Sequence, residues 1–259
     1  MDLFDAIVNR KTTNTRFADK KITEEHIELL IKMVSHCPSH FNSQPWRFIA
    51  VTDEGIIGKI AKIAGDSMVQ LMEDGRFWRQ YMKYFRFSEE EIEKTKDGIH
   101  IDHLPAVLKP FVRTIFSETG GKIMAKFKVP RILGNDEEKL VASSPLLFII
   151  SLTKDEYIKD KLSGFYSVIS MGAVIQTLWL VTTAIGMGMQ FISTPGEIPE
   201  KWKEVSTMLN IPDDYEMCAI FRMGYVDPNM KRPTIDWKSS QRKGINELAF
   251  RDVWGNEIK

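Results

Sequence analysis

Two short stretches of this chain carry the side chains best suited to holding a charged, flat ligand. The first is Asn9-Arg10-Lys11-Thr12-Thr13-Asn14-Thr15-Arg16-Phe17, at the end of a first helical pattern. Arg10, Lys11 and the Thr12 hydroxyl can together grip a phosphate: two cations supply charge, one of them as a bidentate fork, and the hydroxyl adds a donor. The same residues equally suit a solvated basic segment at a helix C-terminus. The second stretch is Pro38-Ser39-His40-Phe41-Asn42-Ser43-Gln44-Pro45-Trp46-Arg47-Phe48. A helix-to-strand connection needs only a few residues and no particular chemistry. This one sets hydroxyls, amides, an imidazole and an indole on a loop stiffened by two prolines, which suits a flat, polar, aromatic ligand. A further basic cluster, Met230-Lys231-Arg232-Pro233, either joins the first on one anion or is a surface loop.

Other chemistries are missing. No Gly-x-Gly-x-x-Gly, no phosphate-binding Gly-x-x-x-x-Gly-Lys-Ser/Thr and no Gly-x-Ser-x-Gly occurs. Of His26, His36, His40, His100 and His103, only His40 falls in the polar loop, and none has an evident acid or nucleophile beside it. Cys37 and Cys218 sit among apolar neighbours and read as small buried side chains rather than a disulfide. Without Cys-x-x-Cys or His-x-x-x-His spacing, a protein-bound metal is not expected. Phosphate binders and aromatics without a nucleophile fit a bound cofactor that does the chemistry itself.

The elements that must position these residues follow from periodicity. Residues 2–9 pattern as a short helix. Thr23 caps a second, whose Ile27, Leu30, Ile31 and Val34 recur at helical spacing. A strand is expected at 47–52, a helix at 54–74, a doubly buried strand at 145–152, a helix at 164–185 and strands at 187–192 and 216–223. The 164–185 helix is small or apolar on nearly every side and reads as central. Residues 75–140 break the pattern, with Phe77, Trp78, Tyr81, Tyr84, Phe85 and Phe87 interleaved with basic residues and followed by an acidic helix. They read as an inserted helical lid, and 225–259 as a C-terminal extension across a partner subunit. The expected fold class is α+β, one domain with a small mixed sheet wrapped by helices.

Lys plus Arg is 35 and Asp plus Glu is 35, giving no net charge. No global field draws such a chain to nucleic acid or an anionic membrane. Residues 171–192 are interrupted by polar residues and glycines and read as a buried helix plus a strand rather than a membrane span. Met1 to Asp5 shows no signal-peptide pattern, so the expected location is cytoplasmic.

Together these segments resemble the nitroreductase superfamily of FMN-dependent oxidoreductases, over residues 1–70, 140–195 and 216–254. The 38–48 loop carries most of the likeness. Arg10-Lys11-Thr12 is similar to the family's Arg-Arg-Ser, Gly172-Ala173 through Gly188 to its central helix, and Lys231-Arg232-Pro233 to its Arg-x-Pro. The resemblance implies an obligate homodimer with FMN at the subunit interface. Arg10, Lys11 and Thr12, with Arg232 and Lys231, would hold the phosphate and ribityl chain. Asn14 stands where the family commonly has a second Arg, and one extra residue precedes Phe17, which leaves open which residue meets the pyrimidine edge. Pro38, Ser39, His40 and Asn42 would reach the flavin from the other subunit. Phe191, Ile192 and Ser193 would lie over the ring, and Gln70 matches a position where the family has a ring-contacting amide. The implied activity is ping-pong: NADH or NADPH reduces the flavin, and a small aromatic acceptor, a nitroaromatic or quinone, takes two electrons. A dehalogenase, enone reductase or flavin-fragmenting enzyme on the same scaffold, or a non-catalytic FMN store or sensor, are the alternatives.

Overall fold

The computed structural model describes residues 1–103, 109–115, 117, 119–120, 129–230 and 236–256. The chain divides into two compact units, Met1–Leu71 with Pro130–Lys231, and Met72–Val129 with Arg232–Lys259.

The first unit is built on a four-stranded sheet, ordered β1 (Trp46–Val51), β4 (Leu146–Thr153), β6 (Tyr215–Tyr225), β5 (Met187–Phe191). All three pairings are antiparallel. Parallel pairing enters at the β5 edge, where Thr12 bridges Met189. β4 is central and buried on both faces, as its unbroken apolar run requires. Its even positions Leu146, Phe148, Ile150 and Leu152 pack with α2 (Glu24–Ser35) and α8 (Leu162–Ala184) residues such as Leu30, Val34, Val174 and Leu178. Its odd positions Leu147 and Ile149 join Ile57, Ile60 and Ala64 of α3 (Glu54–Glu73), Val141 of α7 (Val129–Ala142) and Val205 of α9 (Pro199–Met208). The sheet is thus one layer between two helical layers, the α+β arrangement expected.

Expected and observed elements agree within about two residues at each end. Thr23 caps α2 by accepting from the His26 N–H at 3.3 Å. The central helix differs in one respect. α8 is long and apolar enough to cross a membrane, yet only part of it is covered: Leu162, Phe165, Val168 and Ile169 are exposed. Its buried residues, Gly164, Ser167, Val174 and Leu178 among them, line its other face.

The second unit holds a small sheet in which β2 (Phe85–Arg86) runs parallel to β3 (Ile99–His103) and β3 antiparallel to β7 (Asp236–Lys238). The 75–140 segment therefore divides differently from expectation: Pro130 onward goes with the first unit, and the tail from Arg232 goes with 72–129. Within this unit Arg86 ties the sheet to α5 (Glu89–Thr95), bonding Thr95 Oγ1 at 3.0 Å, the Lys83 carbonyl at 2.8 Å and the Asp97 carboxylate. Gln241 donates to the carbonyls of Asp97 and Gly98. Phe77 packs edge-on against Trp78, which is buried.

Candidate functional site

α1 (Leu3–Asn9) ends where the basic segment begins. Arg10 leaves helical geometry at φ −57° and ψ 124°, and its guanidinium lies 5.1 Å above the Trp179 ring of α8. Thr12 then bridges Met189, and the Thr13 N–H donates to the Met189 carbonyl at 3.2 Å. The segment so becomes a short added edge beside β5.

Two glycines make that approach possible. Gly188 and Gly224 face each other across β5 and β6. A Cβ on Gly188 would stand 2.0 Å from Thr13 Oγ1, and one on Gly224 would stand 2.3 Å from Phe17 Cγ. No neighbour can yield that much, so only glycine allows the loop to lie flat on the sheet.

Two residues before Gly224 on β6, Arg222 is fully buried. Its Nε donates to Gln190 Oε1 at 2.6 Å, and its Nη2 donates to the carbonyls of Thr13 and Thr15 at 2.6 and 2.7 Å. Its Cζ sits 4.5 Å over the Phe17 ring. Burial lowers its pKa and the Glu137 carboxylate opposes this, but a guanidinium stays charged at neutral pH. Two buried polar atoms here have no partner among the described residues: Asn14 Oδ1 and Arg222 Nη1.

The second stretch forms a strained corner. Phe41, Asn42 and Gln44 all take the left-handed conformation, at φ 48°, 56° and 48°. Non-glycine residues pay steric strain there, of order 1 kcal/mol or more each, and such strain collects at functional sites. Ser39 Oγ accepts from the Gln44 N–H at 3.0 Å and Asn42 Oδ1 from Gln44 Nε2 at 3.3 Å, which holds the corner. His40 stacks on Tyr166 of α8 with ring centroids 4.3 Å apart. Pro38, Ser39 and His40 line a shallow depression with Tyr166, Ile169 and Ala173. Phe41 projects into solvent, 93% exposed.

The structure thus gathers the expected residues into two groups. Arg10, Lys11, Thr12 and Asn14 lie along the β5 edge that leads into Phe191, Ile192 and Ser193, with Thr12 paired only two residues before Phe191. Pro38, Ser39, His40 and Asn42 lie at the other end of α8. Gln70 does not join either group: it is exposed on α3 in the stripe of Lys62 and Asp66, while Ser67 faces inward. Lys231 and Arg232 lie outside the described residues.

Sequence reasoning missed Arg222, Glu137 and the Gly188–Gly224 pair. Arg222 had a signal, a lone charge inside Cys218-Ala219-Ile220-Phe221-Arg222-Met223. Glu137 had none, standing in an ordinary acidic run. Its carboxyl is pushed above its ordinary value by burial, opposed by the Arg222 charge and by a 3.5 Å hydrogen bond from Thr194 Oγ1. Among the described residues no group of three His, Cys, Asp or Glu side chains is arranged to hold a metal.

A family model described as Nitroreductase family matches residues 7–225. An oxygen-insensitive NAD(P)H nitroreductase of Enterobacter cloacae is 35% identical over 69 residues, 27% of this chain and 32% of the relative. An iodotyrosine deiodinase of Thermotoga neapolitana is 35% identical over 74 residues, 29% of this chain and 39% of the relative. The alignments thus span only about a third of the length of those relatives. The crystal structure of an oxidized iodotyrosine deiodinase bound to FMN and 3-iodo-L-tyrosine superposes with a TM-score of 0.54 at 20% identity, covering 89% of this chain and 92% of that one, a likeness of fold.

Proposed function

The chain belongs to the nitroreductase family, and from that premise we propose that it binds FMN and acts as an NAD(P)H-dependent reductase of small electron-poor aromatic acceptors. The observation that carries this reading is the pairing of Thr12 with Met189. It sets a segment with two cations and a hydroxyl on the same strand edge that runs, two residues later, into Phe191-Ile192-Ser193. Residues in a strand rise about 3.3 Å each, so phosphate binders and ring seat are separated by roughly one ribityl chain.

The residues present fit the cofactor. The donor set at Arg10, Lys11 and Thr12 is that of a phosphate site. The orphaned Asn14 amide oxygen next to it is an acceptor of the kind an imide N–H seeks, and a buried unpaired acceptor is costly until it finds one. FMN bound there would supply hydride acceptance from a nicotinamide and two-electron delivery to the acceptor. The protein's own part is positional. Arg10 is held over Trp179, and the Ile192 N–H is spent on the Ile220 carbonyl at 2.9 Å, which fixes the strand end. The positive charge of Arg10, Lys11 and Arg222 on one edge favours an anion there, whether phosphate or reduced flavin.

We further propose that the molecule works as a homodimer, each copy lending its 38–44 corner to the other. Reductive dehalogenation of a halophenol is the second reading, favoured by the deiodinase relative and the deiodinase of like fold. The visible spectrum of the purified protein tests the first step. Wild type should be yellow and bleach on adding NADH or NADPH without oxygen, and Arg10→Ala should purify with little flavin. Wild-type flavin content in Arg10→Ala would refute the phosphate assignment. Supplying menadione, nitrofurazone or 3-iodotyrosine to the reduced protein then separates the two readings by which one restores the colour.

A further inference from the structure

We infer that Arg222 is the positioning residue of the phosphate-binding segment, acting through the backbone of Thr13 and Thr15 rather than by touching the ligand. The inference rests on the FMN reading above and extends it to a residue outside the segment. Arg222 has no solvent exposure, so it cannot meet a phosphate itself. What it meets is the peptide backbone on either side of Asn14. One nitrogen, Nη2, takes both carbonyls, at 2.6 and 2.7 Å. From the opposite direction the Thr13 N–H is held by the Met189 carbonyl. Thr13 is therefore fixed at both its N–H and its C=O, directly after the residues that carry the charge and hydroxyl.

Burying a guanidinium with only part of its five donors engaged is unfavourable, and an apolar side chain would serve the sheet as well or better. The arrangement makes sense if the loop, not the sheet, is what needs the arginine. Carbonyls of a turn that points inward need donors, and a fork on a rigid strand supplies them to two peptides at once. Gln190, directly opposite on β5, orients the fork through Nε at 2.6 Å, and Phe17 closes it from above. Holding three or four residues in one conformation before the ligand arrives removes the ordering entropy that binding would otherwise cost.

A loop organiser and a sheet brace predict different ligand preferences. FMN and riboflavin differ in the phosphate, so the ratio of their affinities reports the phosphate segment and cancels general damage to the ring seat. Flavin-free full-length wild type, Arg222→Lys and Gln190→Met would be titrated with each flavin by fluorescence quenching, with thermal unfolding measured alongside. Arg222→Lys keeps the charge but loses the planar fork that reaches Gln190 from Nε and the two carbonyls from Nη2. Its FMN affinity should fall about tenfold, the scale of one or two lost charge-assisted hydrogen bonds, while riboflavin affinity changes less than about twofold. Gln190→Met leaves Arg222 in place without its orienting partner and should lose about threefold of the ratio. It keeps the test decisive if Arg222→Lys does not fold. Equal losses for both flavins, or an unchanged ratio in the variants that fold, overturns the inference while leaving FMN binding intact. A wild type with no preference for FMN over riboflavin removes the phosphate reading, and the inference with it.

Discussion

Glu137 shows how much a single side chain can set under the candidate site. It sits on α7, near Thr194 and Arg222, and burial raises its carboxyl pKa above the ordinary 4.5 despite that nearby cation. Desolvation therefore outweighs attraction. A carboxyl whose pKa rises on folding binds its proton more tightly in the folded state. Its contribution to stability is full below the unfolded value of 4.5 and is lost as pH rises through the folded value. Glutamine imitates the neutral acid at every pH. Glu137→Gln should therefore be more stable than wild type at pH 8, by about 1 kcal/mol, and the two should converge below pH 4.5. Thermal unfolding of both proteins from pH 4 to 8 measures this. A Glu137→Gln that is less stable at pH 8 would mean that the carboxylate is paired and that its charge is needed to offset Arg222.

At the scale of elements, the cross-strand glycines decide whether the basic segment can dock at all. Gly224→Ala would drive a methyl to within 2.3 Å of Phe17, itself buried, and force the ring and the chain following it off the sheet. Overpacking of this kind costs about 1–3 kcal/mol. The same change should weaken FMN, because residues 10–14 hang from the anchored stretch. Chemical denaturation and a flavin titration check both halves, and a Gly224→Ala protein with wild-type stability would show that the loop does not rest there. This pairing marks the limit of what the sequence made legible. Strands and helices were readable because their apolar periods are local: the unbroken run at Leu146–Leu152 and the helical spacing of Ile27, Leu30 and Val34 each declare one element. The likeness in the 38–48 loop and in Arg10-Lys11-Thr12 pointed to the family, and the family match over residues 7–225 agrees. The pairing of Gly188 with Gly224 was not readable, because it depends on the register between two separate strands. Gln70 depends on context in a related way: helical phase around α3 puts Ser67 inward and Gln70 outward, and the family position alone carried no phase. The left-handed run at Phe41, Asn42 and Gln44 was unreadable because no glycine announces it.

On the scale of the whole molecule, the proposed site is one that two chains would assemble together. Arg10 lies over Trp179, and His40 stacks on Tyr166. Those two rings are thirteen residues apart on α8, which at 1.5 Å per residue is about 20 Å. The basic segment and the polar corner therefore stand at opposite ends of one helix, too far apart to enclose a single ring system. A second copy with its α8 running antiparallel would bring its corner to the first copy's basic segment, and the reverse, forming two equal sites about a two-fold axis. The surface of the first unit supports such a partner. Leu162 is 65% exposed, Phe165 60% and Ile169 54% along α8, and Phe4 and Val8 of α1 are exposed at 79% and 82%. Covering a large apolar side chain contributes about 1.5–3 kcal/mol, so this face is a substantial unfilled source of stability. Charge placed there should cost association and cofactor together. Phe165→Glu combined with Ile169→Glu should run as a monomer in light scattering, keep the wild-type far-ultraviolet spectrum, and bind FMN at least about tenfold more weakly, since each site would lose the four residues contributed by its neighbour. A folded monomer that holds FMN as tightly as wild type would place the whole site within one chain, leaving the strained corner at Phe41–Gln44 without the role assigned to it.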